Sequence, residues 1–257
     1  MIQIGRMGKR GTALVTGVGR MVGIGATVAV DLARAGWDVA ISHWQPYDEK
    51  MPWGADPDAQ RELTDRMTDL GARSAAVEAD LSDRATPARL FDAVERELGV
   101  VTALVLCHAE SVDSGLLDTS VVSFDLHFAV NARATWLLVK EFGQRFRGDH
   151  GSGRIVAFTS DHTAGNMPYG ASKGALDRIT LASARELAHL GVTANVINPG
   201  PTDTGWMTEQ QLAEVERDTP LGRVGTPQDS ANLVTFLCSP QGGWINGQLL
   251  YSNGGVK

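Results

Sequence analysis

Tyr169 and Lys173 stand four residues apart in a stretch with helical periodicity, so their side chains leave one helix face and can meet. A phenol ionises near pH 10, too high for proton exchange at neutral pH, and a neighbouring ammonium favours the phenolate. Ser160 follows a strand-like run and stands nine positions before Tyr169, where its hydroxyl could orient an oxygen on a substrate. Standing alone, Tyr-x-x-x-Lys also describes a solvated helix face, so its weight depends on the surrounding chain. A second group has a different chemistry. Thr16-Gly17-Val18-Gly19-Arg20-Met21-Val22-Gly23-Ile24-Gly25 joins an apolar run to a helix-periodic segment. Glycine lets a phosphate approach the backbone, and a helix N-terminus offers free N–H donors and a positive dipole. The spacing departs from G-x-G-x-x-G, and tight strand–helix packing would also select glycine; after a first strand it favours a dinucleotide.

The elements that must position these groups alternate along the whole chain. Strand-like runs at 12–16, 37–42, 74–78, 103–107, 154–159, 193–197 and 248–251 are continuously apolar or β-branched, the pattern of strands buried on both faces. Helix-period segments occupy 25–35, 59–70, 87–98, 122–146, 169–190 and 227–237, and Gly36, Gly71, Gly99 and Gly191 follow four of them. This alternation predicts an α/β fold: a single-domain, Rossmann-like, doubly wound parallel sheet of seven strands with helices on both faces. Residues 1–10 are expected to be a flexible leader and 11–257 the domain. The stretch 43–58 carries three Pro, two Trp and a Tyr and reads as a long ordered loop. Residues 200–206 and a short polar helix at 208–218 form a lid, about 200–220, at the carboxyl edge of the sheet, where open α/β sheets bind ligands.

Composition narrows the classes. With 257 residues, 23 Lys+Arg against 30 Asp+Glu and a net charge of −7, the chain has no sequence-independent grip on nucleic acid. No apolar run approaches the roughly 20 residues needed to span a bilayer, so no membrane partner is expected. Two cysteines are too few for a disulfide framework and suit a cytoplasmic location. The six histidines lack ligand spacing, so no metal site is expected. Ser152 lacks the G-x-S-x-G elbow of a serine hydrolase.

Taken in order, several motifs make the chain similar to one family. They are the Thr-Gly…Gly-Ile-Gly turn, Asp80-Leu81, Asn131, Tyr169-Gly-Ala-Ser-Lys173, Asn198-Pro-Gly-Pro-Thr-Asp-Thr204 and Leu221-Gly-Arg-Val-Gly-Thr-Pro-Gln-Asp229. They resemble the short-chain dehydrogenase/reductase family, of the type that includes 3-oxoacyl-carrier-protein reductases, over nearly the whole length. The resemblance implies an oxidoreductase that interconverts a ketone and a secondary alcohol, with Tyr169 as general acid/base. Lys173 would also hold the nicotinamide ribose, Ser160 would orient the substrate oxygen, and Asn131 would keep a helix bend and a water that relays protons. It further implies that Gly17, Gly19, Gly23 and Ile24 shape the pyrophosphate turn, while Asp80 and Leu81 meet the adenine; Asp80 could equally be a helix N-cap. Cys107, Ala109, Pro199, Gly200, Thr202 and Thr204 would line the nicotinamide end. The second strand ends in Ser42-His43 without the acid that accepts from an NAD ribose, and Arg20 is available for a 2′-phosphate, so NADP(H) is favoured over NAD(H). A homotetramer packed through the helices around Asn131 and Tyr169 is also implied.

Three departures from the family pattern remain. The turn is two residues longer than Thr-Gly-x-x-x-Gly-Ile-Gly. The fourth strand ends Cys107-His108-Ala109-Glu110 in place of Asn-Asn-Ala-Gly, so that His108 is a substituted structural position, or His108 or Glu110 enters the site. The Ser160–Tyr169 spacing is shorter than usual, which should open the pocket, expose Met167 beside Tyr169 and leave Thr163 as a substitute for Ser160. A substrate wall of Trp44 or Trp53, Met167, Trp206 and Met207 would suit an apolar or ring-containing carbonyl compound. The competing class is a non-catalytic NADP(H)-binding sensor or scaffold, against which the Tyr169/Lys173 pair argues.

Overall fold

A computed structural model describes residues 10–256, so the expected leader lies almost wholly outside the described residues. Seven strands form one sheet: β1 (Thr12–Thr16), β2 (Asp38–His43), β3 (Ser74–Glu78), β4 (Val101–Leu106), β5 (Arg154–Phe158), β6 (Thr193–Asn198) and β7 (Leu249–Tyr251). Their order is β3-β2-β1-β4-β5-β6-β7. Every pairing is parallel. The order reverses direction between β1 and β4, and at such a switch point the carboxyl ends of the strands open a crevice.

Helices cover both faces because each carries one apolar stripe. On one side lie α1 (Ile24–Arg34) and α9 (Pro227–Leu237), with α3 (Ala59–Asp69) beside α1. There Val28, Leu32, Leu63, Val234 and Leu237 pack with Val15, Ile41 and Val105 of the strands. On the other side, α4 (Thr86–Leu98), α6 (Ala134–Arg145) and α7 (Met167–Glu186) bring Leu90, Phe91, Leu138, Phe142 and Leu176 against Leu14, Leu104 and Ile155. Each such side chain contributes roughly 1.5–3 kcal/mol on burial.

Two segments differ from the expected elements. Within 43–58 the chain forms a four-residue helix, α2 (Gln45–Asp48), begun by Pro46 at its N-terminus. The expected single helix at 122–146 is three pieces: α5 (Val121–His127), a π-helical turn at Phe128–Arg133, and α6. The π turn widens the helix where Asn131 sits, and its buried side chain bonds neighbouring elements. An extra residue in a helix leaves hydropathy spacing almost unchanged, so the sequence pattern does not reveal it. The short polar helix expected at 208–218 is α8 (Glu209–Asp218), closed at its N-terminus by a Thr208–Gln211 capping box.

Candidate active site

The crevice is built from the β1–α1 turn, the ends of β4 and β5, and the start of α7. Gly17 has φ +73°, and a Cβ on it would lie 2.5 Å from the main chain of His108. Glycine therefore lets the turn lie against the end of β4. Gly23 precedes α1 in extended conformation with no side-chain cap, leaving the first N–H groups of α1 to another acceptor. Ile24 opens the helix, and the buried Ser42 accepts the Val18 N–H through its carbonyl at 2.8 Å.

At the other wall, Ser160, Tyr169 and Lys173 come together. The Tyr169 phenol lies near Ser160, whose hydroxyl draws its pKa down, although the loop between them is short, and Ser160 accepts the His162 N–H at 3.2 Å. Gly170 makes this closure possible, because a Cβ there would run into the His162 carbonyl oxygen. Thr163 lies on the exposed part of this loop. Lys173 is 2% exposed; its Nζ donates to the Phe158 carbonyl at 2.8 Å and the His108 carbonyl at 3.5 Å, and lies 5.6 Å from the centre of the Tyr169 ring. Asn131 donates to the Glu110 carbonyl at 2.9 Å and to Ser172 Oγ at 2.9 Å, and accepts the Glu110 N–H at 2.8 Å. It thus ties the π turn to the β4 exit and to α7, one residue before Lys173.

The electrostatics correct one expectation. Burial pushes the Tyr169 phenol up to about 12, opposed by the Ser160 hydroxyl, so the expected lowering by Lys173 is not what governs it. The same burial pushes the Lys173 amine down to about 8, opposed by Cys107 and Asp177. Both groups are drawn toward their neutral forms.

His108 does not enter the site. Burial, helped by the charge of Lys173, pushes its imidazole down to about 3, and Nδ1 is 2.7 Å from Thr16 Oγ1 with Nε2 3.5 Å from Thr135 Oγ1. A neutral ring thus braces β1 against α6. Glu110 is half-buried, and burial raises its carboxyl against the pull of Lys50. The Cys107 thiol is raised to about 12 by burial, beside the partly buried Ala109.

At the far end, a pocket of about 450 Å³ is bordered by Asp80, Glu78 and Trp44. Asp80 Oδ1 accepts the Ser82 N–H at 2.8 Å, a turn rather than a helix cap, while Leu81 is buried in the core. His43 ends β2 with Nδ1 buried and without a hydrogen-bond partner, and burial lowers its pKa. In the lid, Gly200 (φ +61°) packs against Asn253, Pro199 is partly buried, and Thr202 Oγ1 donates to the Gly200 carbonyl at 3.2 Å.

Arg20 differs from its expected state. Its Nη1 donates to the Thr204 carbonyl at 3.0 Å, its guanidinium lies 4.4 Å over the Trp53 ring, and its Nε is 3.8 Å from Asp48 Oδ1. The cation is already engaged because the segment after β2 folds back onto the turn. Trp53 stacks on Arg20 and Trp44 borders the Asp80 pocket. Met167 is half-buried, with its N–H bonded to the Ser114 carbonyl, while Trp206 is 52% exposed on the lid. Among the described residues, no group of three His, Cys, Asp or Glu is placed to hold a metal.

Comparison with known proteins agrees with this geometry. The family profile described as Enoyl-(Acyl carrier protein) reductase matches residues 17–257. An uncharacterized oxidoreductase, YjdA of Bacillus subtilis, is 35% identical, covering 95% of each chain. The chloroplastic NADPH-dependent aldehyde reductase-like protein of Arabidopsis thaliana is 34% identical, over 95% of this chain and 93% of that one. A short chain dehydrogenase from Burkholderia cenocepacia, solved in complex with NADP, superposes with a TM-score of 0.85 at 30% identity, covering 96% of this chain and 98% of that one. The chain belongs to the short-chain dehydrogenase/reductase family. It is an NAD(P)-dependent oxidoreductase of that family.

Within this family member, sequence reasoning missed Asp48, Tyr47 and Gly170. Gly170 did carry a signal, since glycine inside a helical run marks a close approach. Tyr47 donates to the Ser111 carbonyl at 3.4 Å, and burial with the nearby Glu110 carboxylate raises its phenol. Neither Asp48 nor Tyr47 has any periodic relation to its partners. No helix among the described residues is long and apolar enough to cross a membrane.

Proposed function

We propose that this protein is an NADP(H)-dependent reductase that interconverts a ketone and a secondary alcohol. The observation that carries the reading is the convergence of Ser160, Tyr169 and Lys173 at the carboxyl end of β5. Bound NADP(H) would supply or accept the hydride. The residues present fit such a group: Gly17, Gly19, Gly23 and Ile24 form a glycine-rich turn before an uncapped helix N-terminus, with the Asp48 carboxylate resting on Gly19. Ser42, His43, Asp80 and Leu81 would hold the adenosine end, and Cys107, Ala109, Lys173, Pro199, Gly200, Thr202 and Thr204 the nicotinamide side.

Ser160 and Tyr169 would share the carbonyl oxygen of the substrate. With its pKa near 12, the Tyr169 phenol holds its proton at neutral pH and donates it to that oxygen as the carbonyl is reduced. The charge of Lys173 then stabilises the phenolate left behind. Preference for NADP(H) over NAD(H) rests on His43 ending β2 where an acid would accept from the ribose, and two relatives carry NADPH or NADP in their names. A homotetramer is supported by an exposed apolar groove among Phe128, Ala132, Trp136 and Ile179. A cytoplasmic location is supported by the two free cysteines.

Carbonyl substrates followed by NADPH absorbance test the reading. Tyr169→Phe should lower turnover about 10²–10⁴-fold with NADPH affinity retained. Full turnover in that variant would refute the assignment.

A further inference from the structure

Asp48 occupies a position that neither its helix nor the core explains. It ends a four-residue helix, its side chain is 10% exposed, and its Oδ2 lies against Gly19 where a Cβ would otherwise sit. Oδ1 accepts the Trp53 indole N–H at 2.9 Å and lies 3.8 Å from Arg20 Nε. A carboxylate therefore rests directly on the glycine-rich turn, and a cation on that turn faces it.

We propose that Asp48 is an internal anion that stands in for a cofactor phosphate on this turn and holds Arg20 until such a phosphate displaces it. The proposal rests on the dinucleotide reading above and adds a residue that sets how tightly, and which, dinucleotide binds.

Three features make the exchange chemically reasonable. At 3.8 Å the Arg20–Asp48 contact is too long for a hydrogen bond and acts through charge alone, so its geometry is not optimal. A phosphate offers more charge and oxygens spaced for a bidentate guanidinium contact, which a side-on carboxylate does not. The hydrogen bond that Asp48 would give up comes from a neutral indole, not a second cation. Arg20 also contacts the lid through the Thr204 carbonyl and the 43–58 segment through the Trp53 ring. Arrival of a phosphate at Arg20 would thus be felt at both walls.

The test titrates the full-length protein with NADP⁺ and with NAD⁺, read by tryptophan fluorescence and by calorimetry. Asp48→Asn removes the competing charge and keeps an oxygen for the Trp53 N–H. Binding of NADP⁺ should tighten about fivefold or more. An equal gain for NAD⁺ identifies the pyrophosphate as the displacing group, and a gain confined to NADP⁺ identifies the 2′-phosphate; either supports the proposal. Unchanged or weaker binding of both, in a variant with unaltered thermal midpoint, overturns it. If Asp48→Asn does not fold, Trp53→Phe decides: it removes the indole donor but keeps a ring beneath Arg20, and absence of tighter binding overturns the proposal. Wild-type protein that binds neither nucleotide would overturn the dinucleotide reading and this inference together, whereas wild-type binding unaltered by both substitutions removes only the inference.

Discussion

At the carboxyl end of β5, Lys173 donates to two main-chain carbonyls and Asn131 to a third, whereas on the opposite wall Arg20 is held by a carboxylate, an indole ring and one lid carbonyl. The first corner inherits the rigidity of the sheet and of α7, because its partners are strand-end and helix atoms. The second joins the Arg20 side chain of the β1–α1 turn to two side chains of the 43–58 segment and to one main-chain carbonyl of the 200–206 stretch, none of them in a strand. Burial sets the chemistry in the first corner, as the neutral-leaning Tyr169, Lys173 and His108 all record. In the second, burial also lowers the Arg20 pKa, but the charge of Asp48 opposes it. One wall is fixed for proton transfer, and the other can exchange partners.

The sharpest way to break this contrast is Lys173→Met. Loss of the ammonium beside Tyr169 should cut turnover about 100-fold or more, yet the folded protein should gain stability. The folded-state pKa of about 8 lies below the unfolded value, so below pH 8 both states carry the proton and the burial penalty is fully present. Between pH 8 and the unfolded value only the folded chain releases it, and the penalty fades as pH rises. The methionine variant should therefore be more stable by about 2 kcal/mol at pH 7, after allowing for the unpaired carbonyls, with the gain gone above about pH 10.5. Urea midpoints at pH 7 and 10.5 measure this. A destabilised variant at pH 7 would mean that the main-chain bonds outweigh burial.

The fixed wall was also the more legible one. Seven strands and their flanking helices followed from apolar runs and helical spacing, and Tyr169 and Lys173 declared themselves because an i, i+4 pair is local. Ser160 lies near Tyr169 because it follows the end of β5, whatever the loop length. The direction of the Tyr169 shift was misread, since the pair's spacing says nothing about how deeply the phenol is buried. Arg20 was recognised but not its partner: Asp48 lies 28 positions away in a segment without periodicity, and only the fold brings the two together. The π turn at Asn131 leaves no mark on composition or hydropathy spacing, and only the family resemblance implied a bend there.

A medium-sized test concerns His108. Its folded pKa of about 3 lies below the unfolded value near 6.5, so the unfolded chain takes up a proton first as the pH falls. The stability linked to this ring is fully present above pH 6.5 and declines below it, down to about pH 3. Wild type should lose about 2 kcal/mol between pH 6.5 and 5 beyond the loss in His108→Asn, whatever that variant's own midpoint. Parallel pH profiles would mean that the ring takes up its proton inside the fold, and that the fixed wall is less dry than its geometry implies.

The smallest effect belongs to the exchangeable wall. Arg20→Gln removes one loose ion pair and one bond to the lid, and should cost only about 1 kcal/mol of global stability. Its effect should instead be local. Amide exchange in residues 45–54 and 203–208 should quicken, while strand amides in β1, β4 and β5 keep their protection. This pattern follows from where the bonds go: the guanidinium joins two loops and a turn, none of which the sheet needs in order to stay paired. If strand protection falls as well, the turn is coupled to β1 more tightly than the side-chain clasp implies. Arg20 would then be part of the fixed wall, and a phosphate arriving there would meet a site already set rather than one waiting to change partners.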